Sequence, residues 1–111
     1  MLNINLEFIR GMLFVRLSGK LDDYTYTKLS NCLDDMINDK GFKYFIVNLE
    51  ELLYVDEMCL QKIIDRYFDV AKHDGKLIIC GYENKFNQTC SILKRIEHAN
   101  NELSALKLIN I

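Results

Sequence analysis

Proline is absent from the 111-residue chain. No linker-like stretch or internal repeat divides it either, so residues 1–111 read as a single domain. No apolar run approaches the roughly 18 residues of a spanning helix. The opening Met1-Leu2-Asn3-Ile4-Asn5 lacks the charged start and apolar stretch of a signal peptide. The expectation is a cytoplasmic protein with no membrane-inserted segment. Histidine is scarce (His73 and His98), and none of the four cysteines, Cys32, Cys59, Cys80 and Cys90, stands in CxxC spacing. These gaps argue against a structural zinc site. Without an export signal, a disulfide framework is not expected, and the cysteines read as small, mostly buried apolar residues. A Gly-rich phosphate loop, GxSxG and HExxH are all missing, so no enzyme, cofactor or metal is expected. The net charge is only -2, with no clustered Lys and Arg, which leaves no footprint for nucleic acid or an anionic membrane.

What is present is enough for a core: half the residues are hydrophobic, and the 27% charged fraction argues against disorder. Ile4, Leu6 and Phe8 alternate with polar residues as in a half-buried strand. Arg10-Gly11 marks a turn and Met12 to Leu17 a second strand, so the chain opens with a β-hairpin. Ser18 to Asp22 then leads out of the sheet. Leu29, Cys32, Leu33, Met36 and Ile37 recur at helical spacing, with Asp22, Asp23 and Thr25 as candidate caps and Lys40-Gly41 as the stop. Tyr44 to Leu49 reads as a central strand covered on both faces.

A loop from Glu50 to Val55 leads to a second helix. Its apolar face is Leu60, Ile63, Ile64, Tyr67 and Ala71, and His73-Asp74-Gly75 closes it. Lys76 to Cys80 is another core strand. Residues 82 to 91 are ambiguous and Ile92 to Ile96 reads as a last strand. Asn101 is placed to cap a final helix burying Leu103, Leu106 and Ile109. The order predicts an α/β fold whose later strands are parallel. The functional surface of such a sheet lies beyond the carboxyl ends of its strands. Two loops belong there, Gly19 to Asp23 and Leu52 to Met58.

Asp22, Asp23, Asp56 and Glu57 occupy these loops. They form either a shared carboxylate site for metal or phosphoryl chemistry, or helix N-terminal caps worth roughly 0.3–1 kcal/mol each. A receiver domain of two-component signalling fits less well. The acidic pair follows a hairpin rather than a first βα repeat, and no late strand ends in lysine. Cys59 sits in the first turn of the second helix, where a thiolate is favoured, but Asp56 and Glu57 oppose it, so packing is the preferred role. Met58 either forms an exposed apolar patch with Leu53 and Tyr54 or tucks into the sheet edge.

Leu17-Ser18-Gly19-Lys20-Leu21-Asp22 resembles the LxGxLD segment of STAS domains. Phe45-Ile46-Val47-Asn48-Leu49-Glu50-Glu51-Leu52, followed by Val55-Asp56, resembles their second signature, IVLNLExLxxxD. The resemblance spans essentially the whole chain and is greatest to the bacterial anti-sigma factor antagonists. It implies a mixed sheet, an N-terminal hairpin followed by parallel strands, with helices mainly packed on one side. It further implies a regulator that sequesters an anti-sigma factor doubling as a serine kinase, and so controls transcription. The partner would phosphorylate a serine directly after the motif aspartate to break the complex. The partner-binding surface would be Asp22, Asp23, Tyr24, Asp56, Glu57 and Met58, on a monomer or weak dimer.

One departure stands at the decisive position. Where the family reads Asp-Ser-Ser-Gly-Leu, this chain reads Asp56-Glu57-Met58-Cys59-Leu60. Glu57 replaces the phosphorylatable serine. A phosphoserine carries about −1.5 to −2 charge, and Glu57 supplies about one, permanently. Either Glu57 mimics the phosphorylated state, or the partner has co-adapted with a basic group facing it. The alternative function is a non-switching STAS scaffold subunit in a stress-signalling assembly or transporter.

Overall fold

A computed structural model describes residues 1–41, 43–73, 75–82 and 98–109. The chain opens with strands β1 (Leu2–Ile9) and β2 (Met12–Leu21), followed by helix α1 (Tyr26–Asn38), β3 (Tyr44–Val55) and helix α2 (Glu57–His73). Then come β4 (Lys76–Cys80), β5 (His98–Ala99) and helix α3 (Glu102–Leu108). The strands form one five-stranded sheet in sequence order. β1 runs antiparallel to β2, and every later pairing is parallel.

The hairpin closes through Arg10 and Gly11, both with positive φ (50° and 83°), and Ile9 pairs with Met12. A two-residue loop of that handedness matches the natural twist of the strands it joins. In the central strands the side chains alternate between two apolar layers. Leu13, Val15, Leu17, Phe45, Val47, Leu49, Leu77 and Ile79 face Leu29 and Leu33 of α1 and Leu60, Ile63, Ile64 and Tyr67 of α2. Met12, Phe14, Ile46, Ile78 and Cys80 face the opposite way, onto Ala105 of α3 and Ile109 beyond it. The two long helices thus share one side, as expected, and the short C-terminal helix covers part of the other. No helix among the described residues is long and apolar enough to cross a membrane.

Two segments expected to leave the sheet stay in it. Ser18 to Leu21 extends β2, and Glu50 to Val55 extends β3, through the pairs Ser18–Glu51, Gly19–Leu52, Lys20–Tyr54 and Leu21–Val55. Register shifts between Arg16 and Ser18 and between Gly19 and Lys20 interrupt this ladder. The inward positions of β3 therefore become Leu49, Leu52 and Val55, every third residue rather than every second. That spacing hides a strand from a period-two search. Gly19 is required here. Its φ is +93°, and a β-carbon would stand 2.1 Å from the Met1 carbonyl oxygen, which accepts a bond from Lys20 N–H.

The last helix packs Leu106 and Ile109 as expected but not Leu103. Asn101 caps it, its side chain accepting from Ser104 N–H at 2.8 Å. Leu103, however, is 66% exposed, and Ala105, Leu106 and Ile109 are the residues that pack. The cause is Glu102, which is bound in bidentate fashion by Arg16 of β2 at 2.7 and 2.8 Å. It also accepts from the Asn48 amide of β3 at 2.9 Å. Turning Glu102 toward the sheet swings its neighbour Leu103 outward. The strand expected over Ile92 to Ile96, most of the ambiguous segment 82–91 with Cys90, and Asp74 lie outside the described residues, as does the side chain of Ala71. The strand that pairs with β4 is His98–Ala99.

Candidate functional site

Because β2 and β3 are parallel neighbours, the chain leaves both at the same end of the sheet. The Asp56 N–H donates to the Leu21 carbonyl at 2.8 Å, so the two departing segments start side by side.

The first segment is a tight turn built by Asp22. Its carboxylate accepts from Tyr24 N–H at 2.9 Å and from Thr25 N–H at 3.1 Å. The Thr25 hydroxyl accepts from Asp22 N–H at 2.9 Å and donates to the Lys20 carbonyl at 2.8 Å. This is how a short acidic side chain stabilises a turn. Thr25 occupies the N-cap position of α1, but its side chain makes no capping bond to the helix. Of the three residues read as caps, Asp22 thus closes the turn before the helix, and Asp23 reaches across to Cys59. With Asp22 committed to its own loop, Asp23 and Tyr24 project from it. Tyr24 is 95% exposed.

The second segment enters α2 directly. The Asp56 carboxylate accepts from Met58 N–H at 2.9 Å, and its carbonyl accepts from Leu60 N–H at 3.0 Å, which makes it the helix cap. Glu57 lies in the first turn, where a negative charge complements the helix dipole. Its carboxylate accepts from the Tyr82 hydroxyl at 3.2 Å. Met58 is 63% exposed, Leu53 74% and Tyr54 49%. Met58 is thus exposed rather than tucked into the sheet edge.

Cys59 points inward. It is fully buried, and its thiol donates to the Asp23 carboxylate at 3.4 Å. Burial, the bond to Asp23 and the nearby charge of Asp56 push its pKa up to about 11. The thiol therefore stays protonated near neutral pH and is no nucleophile. Ligand-capable atoms of Asp23, Asp56 and Cys59 lie within 4.8 Å of one another. The arrangement is already internally satisfied: Asp23 holds the thiol proton, and Asp56 holds Met58 N–H. Asp22 is not part of this group.

The structure thus brings Asp23, Asp56 and Cys59 within 4.8 Å of one another and sets Tyr24, Glu57 and Met58 at the same end of the sheet. Tyr82 escaped the sequence reading. Its signal was topological. It follows the carboxyl end of β4, the third strand to end on this side.

A model of the STAS domain family matches residues 3–101. The chain belongs to the STAS domain family. Over 99% of its length it is 26% identical to an anti-sigma F factor antagonist of Paenibacillus polymyxa, of which it covers 97%. An anti-sigma-B factor antagonist of Staphylococcus aureus is 30% identical over 89% of this chain and 94% of that protein. This STAS domain also shares the fold of the Bacillus cell fate determinant SpoIIAA in its phosphorylated form. The TM-score is 0.70 at 17% identity, covering 97% of this chain and 100% of that one. In this STAS domain the first signature segment ends in the Asp22 turn. The second is the β3 strand that delivers Asp56 to the head of α2.

Proposed function

We propose that this STAS domain is a protein-binding regulator of the anti-sigma factor antagonist kind. It acts in the cytoplasm and sequesters an anti-sigma factor of the serine-kinase type to control transcription. Asp22, Asp23 and Tyr24 dock together with Asp56, Glu57 and Met58, Asp22 acting through the turn it shapes. The observation that carries this reading is the composition of one end of the sheet. Exposed Tyr24, Leu53, Tyr54 and Met58 stand among exposed acidic side chains there, on two segments tied together through Asp56 and Leu21. Exposed apolar side chains gathered at one place favour a protein contact. The names of the relatives support an antagonist role.

Glu57 stands where the family resemblance puts the phosphorylated serine, so no hydroxyl is available there. A partner adapted to a permanent charge fits this better than a domain locked off. The test is a kinase assay with the anti-sigma F factor that the Paenibacillus polymyxa relative is named for antagonising. Wild type and Glu57→Ser are compared. Phosphate on the variant at position 57, and none on the wild type, is the expected result. Phosphate on the wild type at another residue, or no complex with either protein, overturns the assignment.

A further inference from the structure

β1 (Leu2–Ile9) forms one margin of the sheet, with β2 as its single neighbour in the strand order. Lys20 N–H donates to the Met1 carbonyl, and the register pairs Asn3 with Ser18, Asn5 with Arg16 and Glu7 with Phe14. The odd-numbered residues therefore exchange bonds with β2, while the backbone groups of Leu2, Ile4 and Leu6 point away from it. Lys28 Nζ confirms the direction by donating to the Leu2 carbonyl at 2.6 Å. The outward N–H and C=O groups of Ile4 and Leu6 take no bond from any described residue.

Strand edges are usually blunted by brevity, proline, lysine or a bulge. The opposite margin, β5, has only two residues. β1 has eight, with no proline or lysine, and its ladder to β2 runs without the register shifts that interrupt β2 and β3. Its one charged side chain, Glu7, is already paired with Arg16.

The pattern of side chains selects what fits this edge. Leu2, Ile4 and Leu6 pack on the core side, where Ile4 and Leu6 remain half-buried, and Asn3, Asn5 and Glu7 are exposed. A second copy turned about a two-fold axis through Asn5 offers the same edge in the antiparallel sense. Ile4 of each copy then exchanges its N–H and C=O bonds with Leu6 of the other, and the two half-buried side chains cover each other. Leu2 faces Phe8, Asn3 faces Glu7, and Asn5 faces Asn5. Apolar meets apolar, amide meets carboxylate, and no like charges are opposed. An axis through Glu7 would set that carboxylate against itself.

We propose that β1 is a homodimerisation edge: two copies of this chain pair their β1 strands antiparallel about Asn5 and continue one sheet through both. The Asp22 and Asp56 segments lie at the carboxyl ends of β2 and β3, so the pairing sends the two docking ends in opposite directions. The proposal does not depend on the docking role.

An interface of one strand pair is small and belongs to the weak class, with a Kd on the order of 100 µM. Sedimentation equilibrium of the whole chain up to about 1 mM should therefore show a monomer–dimer equilibrium. Amide exchange at Ile4 and Leu6 should slow as concentration rises. Asn5 is exposed, so charge can be placed on the axis without disturbing the core. Asn5→Lys and Asn5→Glu should each weaken association about fivefold, and an equimolar mixture of the two should associate at least as well as the wild type. Across the axis the Cα atoms at position 5 would stand about 4.5 Å apart, close enough for a disulfide. In a Cys32→Ser background, Asn5→Cys should oxidise to a covalent dimer, whereas Glu51→Cys, exposed on β3, should not. A wild type that stays monomeric throughout overturns the proposal. So does association that survives both charged variants, or a mixture that associates no better than either variant alone.

Discussion

The Asp56 N–H and the Leu21 carbonyl meet at 2.8 Å where β2 and β3 end. This one bond places the Asp22 turn beside the head of α2 and makes a common surface of segments 34 residues apart, from position 22 to position 56. Asp56 then continues as the helix cap, accepting from Met58 N–H. Its backbone and its side chain therefore serve different tasks, and mutation reaches only the second.

Asp56→Ala should destabilise the fold by about 1 kcal/mol, the usual value of an N-cap side chain, while leaving the β2–β3 junction intact. Chemical denaturation of wild type and variant measures this. Asp56→Asn and Asp56→Ser keep an acceptor and should recover most of the loss. Equal destabilisation by Asn, Ser and Ala would show that the capping bond is not what Asp56 contributes.

Met58→Ser separates surface from core. With the residue 63% exposed, the substitution should change stability by no more than about 0.5 kcal/mol. Binding to an anti-sigma factor should weaken by about 1–2 kcal/mol, roughly 5- to 30-fold, if Met58 anchors the interface. Unfolding and titration of the same preparation provide both numbers. A variant that binds as the wild type does removes Met58 from the interface.

The same contrast between local and long-range causes explains what was legible in the sequence. Arg10-Gly11, the doubly covered strand at Tyr44 to Leu49 and the α1 face, save for half-buried Cys32, follow from neighbouring residues and stand as expected. The second halves of β2 and β3 were not legible, because register shifts change the inward spacing to every third residue. Leu103 was misplaced because Glu102 is drawn to Arg16, 86 positions away. The Asp22 and Asp56 segments were recognisable as motifs. The bonds from Cys59 to Asp23 and from Tyr82 to Glu57 were not, since each joins residues far apart in the chain.

The Arg16–Glu102 pair carries a pH dependence. The Arg16 guanidinium, helped by the Asn48 amide and opposed by partial burial, holds the Glu102 carboxyl below the usual carboxylate range. A carboxyl lowered by folding stabilises the protein above its unfolded value, near 4.3, and this contribution is lost as pH falls through the folded value. Glu102→Gln should cost about 1–2 kcal/mol at pH 7, a modest figure because the Arg16 side chain is 35% exposed and also paired with Glu7. The gap between wild type and variant should shrink below about pH 4. A gap that is constant with pH would mean that Glu102 acts through packing alone.

Cysteine chemistry gives the last expectation. The Cys59 thiol is pushed up to about 11 by burial and by Asp23 and Asp56, and Cys80 to about 12 by burial above all. Cys32, half-buried on α1, is raised as well, but its side chain is the more accessible. The thiolate is the species that an alkylating agent attacks, and at pH 8 almost none is present at Cys59 or Cys80. Iodoacetamide at that pH, followed by peptide mass mapping, should label Cys32 well before either of them. Cys59 and Cys80 should become reactive only when the protein is unfolded. Asp23→Asn weakens the grip on the thiol proton, so it should raise Cys59 labelling in the folded protein, though burial keeps the rate low. Rapid labelling of Cys59 in the native wild type would mean that the thiol is not sequestered against Asp23, and would reopen a reactive role for it at the head of α2.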